Sequence, residues 1–189
     1  MKKIKRSIGL FLLLTMFIAM NCLVALAADD SNYEGGATYN SAQELRAAQI
    51  KELEAEGVQV IGGKAFEATI VDAKAKGPSI VNVSLSIGYV DDPKIGLNAY
   101  LVASSKDLNC QIKRMTALIA WEDLDSAAKG MGDMSVSQIV PTYRIESAYE
   151  SGAILKSGHR IYCNAYGDVD AINEISGGEF DLETTVTIP

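Results

Sequence analysis

From Lys64 to the C-terminus, apolar residues recur at every second position. In VNVSLSIGY, Val81, Val83, Leu85, Ile87 and Tyr89 fall on one face, and Asn82, Ser84, Ser86 and Gly88 on the other. Successive side chains of a strand point to opposite sides, so this alternation predicts a strand with one buried and one wet face. The same pattern sets Phe66, Ala68 and Ile70 inward in FEATI, and Phe180, Leu182, Val186 and Ile188 inward in FDLETTVTI. Further strands are predicted from Asn98 to Ser104, Cys110 to Trp121, Ile139 to Ser147 and His159 to Tyr166. Turn signals separate them at Lys76-Gly77-Pro78, Asp91-Asp92-Pro93, Ser104-Ser105-Lys106-Asp107, Ser151-Gly152 and Ser176-Gly177-Gly178. About seven short strands at this spacing predict an all-β fold, an antiparallel β-sandwich.

One predicted strand carries a fault in its alternation. Cys110 and Ile112 share one parity, whereas Met115, Ala117, Ile119 and Trp121 share the other. A single extra residue near Lys113-Arg114 restores a continuous inner face, as a β-bulge does; two strands with a kink between them are the alternative. After Trp121 the alternation is lost as far as Met134, and Asp125 is placed to cap a short helical turn.

Ahead of the strands the pattern is different. Lys2, Lys3, Lys5 and Arg6 precede an apolar run from Ile8 to Met20, and Ala25-Leu26-Ala27 offers the small-x-small site of a signal peptidase. Residues 1–27 are therefore expected to be a cleaved signal peptide. An uncleaved anchor helix of about 20 residues is the rival, disfavoured by Asn21 and by the lack of a stop-transfer charge. A lipid anchor on Cys22 is disfavoured by the bulk of Asn21 before it. Residues 28–63 read as a polar, Gly-bearing lead-in followed by a helix over 41–56. Ser41 and Glu44 form a capping box, and Gly57 is the stop. Its apolar stripe, Leu45, Ala48, Ile50 and Leu53, is narrow and suits a surface helix; removal of this segment as a propeptide is the alternative. Gly62-Gly63 reads as a turn. Residues 64–189 form the predicted sandwich domain.

Charge narrows the partners. The leader takes four of 17 Lys and Arg and none of 24 Asp and Glu, leaving 13 − 24 = −11. Such a surplus repels nucleic acid and anionic lipid. The expected product is secreted and extracellular, with no membrane anchor after cleavage.

Two cysteines remain beyond the leader, Cys110 and Cys163, both at inward parity in an exported chain. That predicts a disulfide rather than a reactive thiol. It would close a loop of 54 residues and contribute about 4 kcal/mol. The order Cys110, Trp121, Cys163 resembles that of immunoglobulin domains, where two core cysteines flank a buried tryptophan. The match is incomplete. No turn separates Cys110 from Trp121, and Ile161 stands where a tyrosine is expected. The resemblance implies an immunoglobulin-like architecture without membership of that family.

Motifs for chemistry are missing. There is no G-x-S-x-G elbow, H-E-x-x-H helix or phosphate-binding Gly-rich loop. The single histidine, His159, rules out a His-rich metal site. No cofactor is expected. Acidic pairs at strand ends (Asp91 with Asp92, Asp123 with Asp125, Asp168 with Asp170) read as solvated loop charge, with Asp168 and Asp170 as weak calcium candidates. The wet face of the Cys163 strand carries Arg160, Tyr162, Asn164 and Tyr166, a set suited to a protein or sugar surface. The expected function is a secreted, non-catalytic binding module for a protein or cell-envelope glycan. A carboxylate-dependent hydrolase is the second expectation, and a membrane-active toxin with Ser/Thr-alternating strands the third.

Overall fold

A computed structural model describes residues 39–72, 77–90, 96–153, 155–172 and 174–189. The expected signal peptide, residues 28–38 and the Asp91-Asp92 pair lie outside the described residues. The described chain is an all-β sandwich with one helix. Helix α1 (Ala42–Ala55) leads into β1 (Gln59–Asp72), β2 (Ser79–Val90), β3 (Gly96–Ser105), β4 (Ile112–Asp123), β5 (Lys129–Thr142), β6 (Arg144–Glu150), β7 (Arg160–Ala171), β8 (Glu174–Gly177) and β9 (Glu179–Thr187). Sheet A has the order β6-β3-β2-β1-β8 and sheet B the order β5-β4-β7-β9. Every pairing is antiparallel.

The inward parity read from the sequence builds the core between the sheets. Val81, Val83, Leu85 and Ile87 of sheet A face Ile161, Ala165, Phe180 and Leu182 of sheet B in one buried cluster. Phe66 keeps its register opposite Val83 but lies at the rim, 38% exposed. The expected bulge is present. Ile112 pairs with Ala171 and Arg114 with Asp170, so Lys113 is the extra residue, and Ile112, Met115, Ala117, Ile119 and Trp121 are all buried.

The wet face expected for β2 is covered. Asn82, Ser84 and Ser86 are fully buried because α1 packs across β1 and β2. Gln49 is the hub of this polar layer. Its Oε1 accepts from Ser84 Oγ (2.9 Å) and Ser86 Oγ (2.8 Å), and its Nε2 donates to the Tyr100 carbonyl (3.1 Å). The narrow apolar stripe suffices because hydrogen bonds supply the rest of the contact: Ala42, Leu45 and Leu53 are the buried apolar residues of the helix. Ser41 Oγ accepts from the Glu44 amide (3.2 Å), while the Glu44 carboxylate reaches the Asn40 amide (2.9 Å), one residue before the cap. Arg144 of β6 clamps Glu52 with both terminal nitrogens. Strand β1 starts at Gln59, ahead of the expected boundary at Lys64, and runs through Gly62 and Gly63, which form no turn.

The expected Cys110–Cys163 disulfide is corrected by the register. Both side chains are buried, but no sulfur–sulfur bond joins them. Cys163 pairs with Trp121 at one end of β4, whereas Cys110 precedes Ile112, which pairs with Ala171 at the other end. The eight residues from Cys163 to Ala171, at ~3.3 Å each, put about 26 Å between the two ends. A disulfide needs Cα atoms within about 7 Å. Inward parity was the right reading of both residues; parity carries no information on height along the strand. Desolvation pushes the Cys163 thiol up to about 12, so it is an inert core group. Dithiothreitol is therefore expected to leave the thermal midpoint unchanged. A bridge of that loop length would make the midpoint fall by about 8–16 °C on reduction.

Candidate functional site

Helix α1 covers sheet A, and the outer face of sheet B carries the candidate site. Register fixes its layout in rows across four strands. In the central row Asp133 of β5 stands opposite Leu118 of β4, Leu118 opposite Tyr166 of β7, and Tyr166 opposite Asp181 of β9. A row of four strands spans about 14 Å. On one side lies the row Met131, Ala120, Asn164, Glu183; on the other lies Ser135, Thr116, Asp168, Glu179. Outward parity on a solvated sheet ordinarily selects polar residues. Here the centre is apolar: Leu118 is 40% exposed, Tyr166 55% and Met131 70%. Carboxylates surround it. A shallow groove of about 620 Å³ runs beside the pair, lined by Leu118, Asp133, Ser135, Tyr166, Asp168 and Glu179 among others.

The four residues singled out on this strand all lie on that face, with different fates. Arg160 is taken up by Asp125 in the β4–β5 turn, through Nη2 (2.9 Å), Nε (3.2 Å) and its own amide (2.8 Å). The guanidinium and amide of Arg160 hold the Asp125 carboxyl down at about 2. Tyr162 is half-buried, and its phenol is raised by desolvation and by its hydrogen bond to Glu183. Asn164 donates to Asp181 (2.6 Å). Tyr166 alone of the four presents most of its ring to solvent.

Asp168 and Asp170 share this face but do not gather a cation site. Asp168 accepts from Thr116 Oγ1, and Asp170 accepts from Arg114 Nε at 2.6 Å. Among the described residues, no group of three or more His, Cys, Asp or Glu could hold a metal ion.

One cluster outside this face has the residue types of a hydrolase. His159 Nδ1 lies 2.8 Å from Asp123 Oδ2, and Ser126 Oγ donates to the same oxygen at 2.6 Å. Nucleophilic catalysis needs the imidazole between serine and carboxylate. Here the carboxylate stands between them and accepts from Ser126 itself, so the imidazole is not placed to take the Ser126 proton. Instead Ser126, His159 and the Asp125 amide hold the Asp123 carboxyl below its usual range against desolvation. The group ties the β4–β5 turn to the start of β7. Asp125 sits in this turn rather than capping a helix.

The sequence pattern by itself does not single out Leu118, Met131 and Asp133 as site residues. Leu118 did carry a signal, a large aliphatic side chain on the outward parity of a strand whose inward set was already assigned. Met131 and Asp133 lie in the stretch where alternation fails. No helix among the described residues is long and apolar enough to cross a membrane. No protein-family model matches the chain, and no curated protein or solved structure is found to be similar to it.

Proposed function

We propose that the protein is an exported, non-catalytic binding module, an immunoglobulin-like sandwich that engages a protein or envelope glycan through the outer face of sheet B. The observation that supports this reading is the central row, an exposed Leu118–Tyr166 pair on a sheet face that α1 leaves open. Exposed apolar groups rimmed by polar ones mark interaction surfaces, and tyrosine is enriched at their centres. The immunoglobulin-like label rests on two packed antiparallel sheets and not on a cysteine framework.

The test is capture of ligand from envelope material and culture fluid by the folded protein. Leu118→Ser with Tyr166→Ala is expected to weaken capture about tenfold, the effect of losing a central aromatic anchor. Glu67→Ala, an exposed change on sheet A, is expected to leave it intact. Equal capture by the double variant and the parent would overturn the assignment of this face.

A further inference from the structure

The rim of the same face points to the chemistry of the partner; this inference rests on the binding reading above. We infer that the face docks a basic amphipathic polypeptide segment, with apolar side chains on the Leu118–Tyr166 pair and lysine or arginine on the flanking carboxylates. Five acids line the three rows, Asp133, Asp168, Glu179, Asp181 and Glu183, and Glu122 stands in the next row, between Lys129 and Tyr162. Among the described residues, none of them is in an ion pair. The cations nearby are mostly committed: Arg114 is bound to Asp170 and Arg160 to Asp125. Lys129, opposite Glu122, stands in the row next to these.

Geometry makes this more than a diffuse negative charge. Asp133 and Asp181 stand at the two ends of the row whose middle is Leu118 and Tyr166. Neighbouring strands are ~4.8 Å apart, so each carboxylate lies within reach of a lysine or arginine whose neighbouring side chain contacts the apolar pair. Like charges gathered on one surface repel each other, and a cationic partner relieves that repulsion while steering its own approach. An anionic membrane or nucleic acid meets a face of its own sign and is repelled. A bare metal ion lacks the convergent ligand set, and a neutral glycan makes no use of the charge.

The probe is a synthetic peptide alternating lysine with leucine, titrated into the intact protein at low and physiological salt. Controls are a glutamate–leucine peptide and a neutral oligosaccharide. Asp133→Asn, Glu179→Gln and Asp181→Asn combined are expected to weaken lysine–leucine binding about tenfold, with a smaller salt dependence. Neutralising Glu54, Glu67 and Glu150 instead, which removes equal charge elsewhere, is expected to change affinity less than twofold. Leu118→Ser with Tyr166→Ala is expected to weaken the same peptide. Circular dichroism and melting confirm that each variant folds. Equal weakening by the two charge sets reduces the effect to net charge and overturns the inference. If the face variant loses a glycan while the acid triple variant binds peptide normally, the binding face stands and the cationic partner falls. If neither the triple nor the face variant alters peptide binding, the cationic partner falls, and the binding face falls with it only if the face variant also captures as much ligand from envelope material and culture fluid as the parent.

Discussion

Replacing Phe180 by alanine is expected to lower the unfolding free energy by about 3–5 kcal/mol, the range for truncating a buried aromatic ring. Phe180 is 2% exposed and lies on the inward parity of β9, opposite Gly167 of β7. The glycine is what makes the site unforgiving. A Cβ at Gly167 would lie 2.9 Å from Phe180 Cζ and 2.0 Å from the Thr116 carbonyl oxygen, so no side chain occupies that space and the ring does. Removing the ring leaves a void beside bare backbone, with no flexible neighbour on Gly167 to collapse into it. Urea denaturation should show a lower midpoint at an unchanged slope. Phe66→Ala provides the comparison: with Phe66 38% exposed, less of the ring leaves water and the loss should stay near 1 kcal/mol. If the two variants are equally destabilised, the ring of Phe180 is not the plug for this gap.

The same exchange between glycine and ring explains which strands were legible in the sequence. Strands β2, β4 and β9, and β7 as far as Tyr166, have side chains at their inward positions, so alternation reads directly, down to the extra residue at Lys113. The sequence of β5 shows no alternation as far as Met134 because two of its inward positions are Gly130 and Gly132. A Cβ at Gly130 would meet Trp121 Nε1 at 2.6 Å, and one at Gly132 would meet Tyr149 Cε2 at 2.2 Å. The core volume there comes from neighbouring strands, and a pattern search along β5 finds nothing to count. The polar parity of β2 misled in the opposite way. Asn82, Ser84 and Ser86 read as wet, but Gln49 of α1 supplies the two serines with a partner, and Asn82 Nδ2 donates to the Tyr39 carbonyl at 2.7 Å. Whether a polar stripe meets water or another polar stripe is a tertiary fact. For the candidate site, sequence parity puts Tyr166 outward, but cross-strand register is needed to seat it beside Leu118 and to place the pair between Asp133 and Asp181.

Gly63→Ala should destabilise the fold by about 3 kcal/mol or more, because it adds two separate costs. The residue has φ +146°, in a region that only glycine enters freely; forcing another residue there costs about 1–3 kcal/mol. The methyl group would also lie 2.1 Å from the Leu85 carbonyl oxygen of β2, so the paired backbone must shift. Gly57→Ala separates the two terms. Gly57 has φ +86° and nothing within 4 Å of the added carbon, so it carries only the left-handed strain, about 1–2 kcal/mol. Gly63 occupies this conformation for a structural reason: the register of β1 against β2 shifts between Val60 and Gly62. At that shift β1 meets the other sheet, and a Cβ on Gly62 would come within 2.4 Å of Val186 on β9. The corner thus needs two residues without side chains, one for the backbone bend and one for the approach of the sheets. Melting of both variants in the same buffer decides the point, and equal losses at Gly57 and Gly63 would show that the contact with Leu85 can relax.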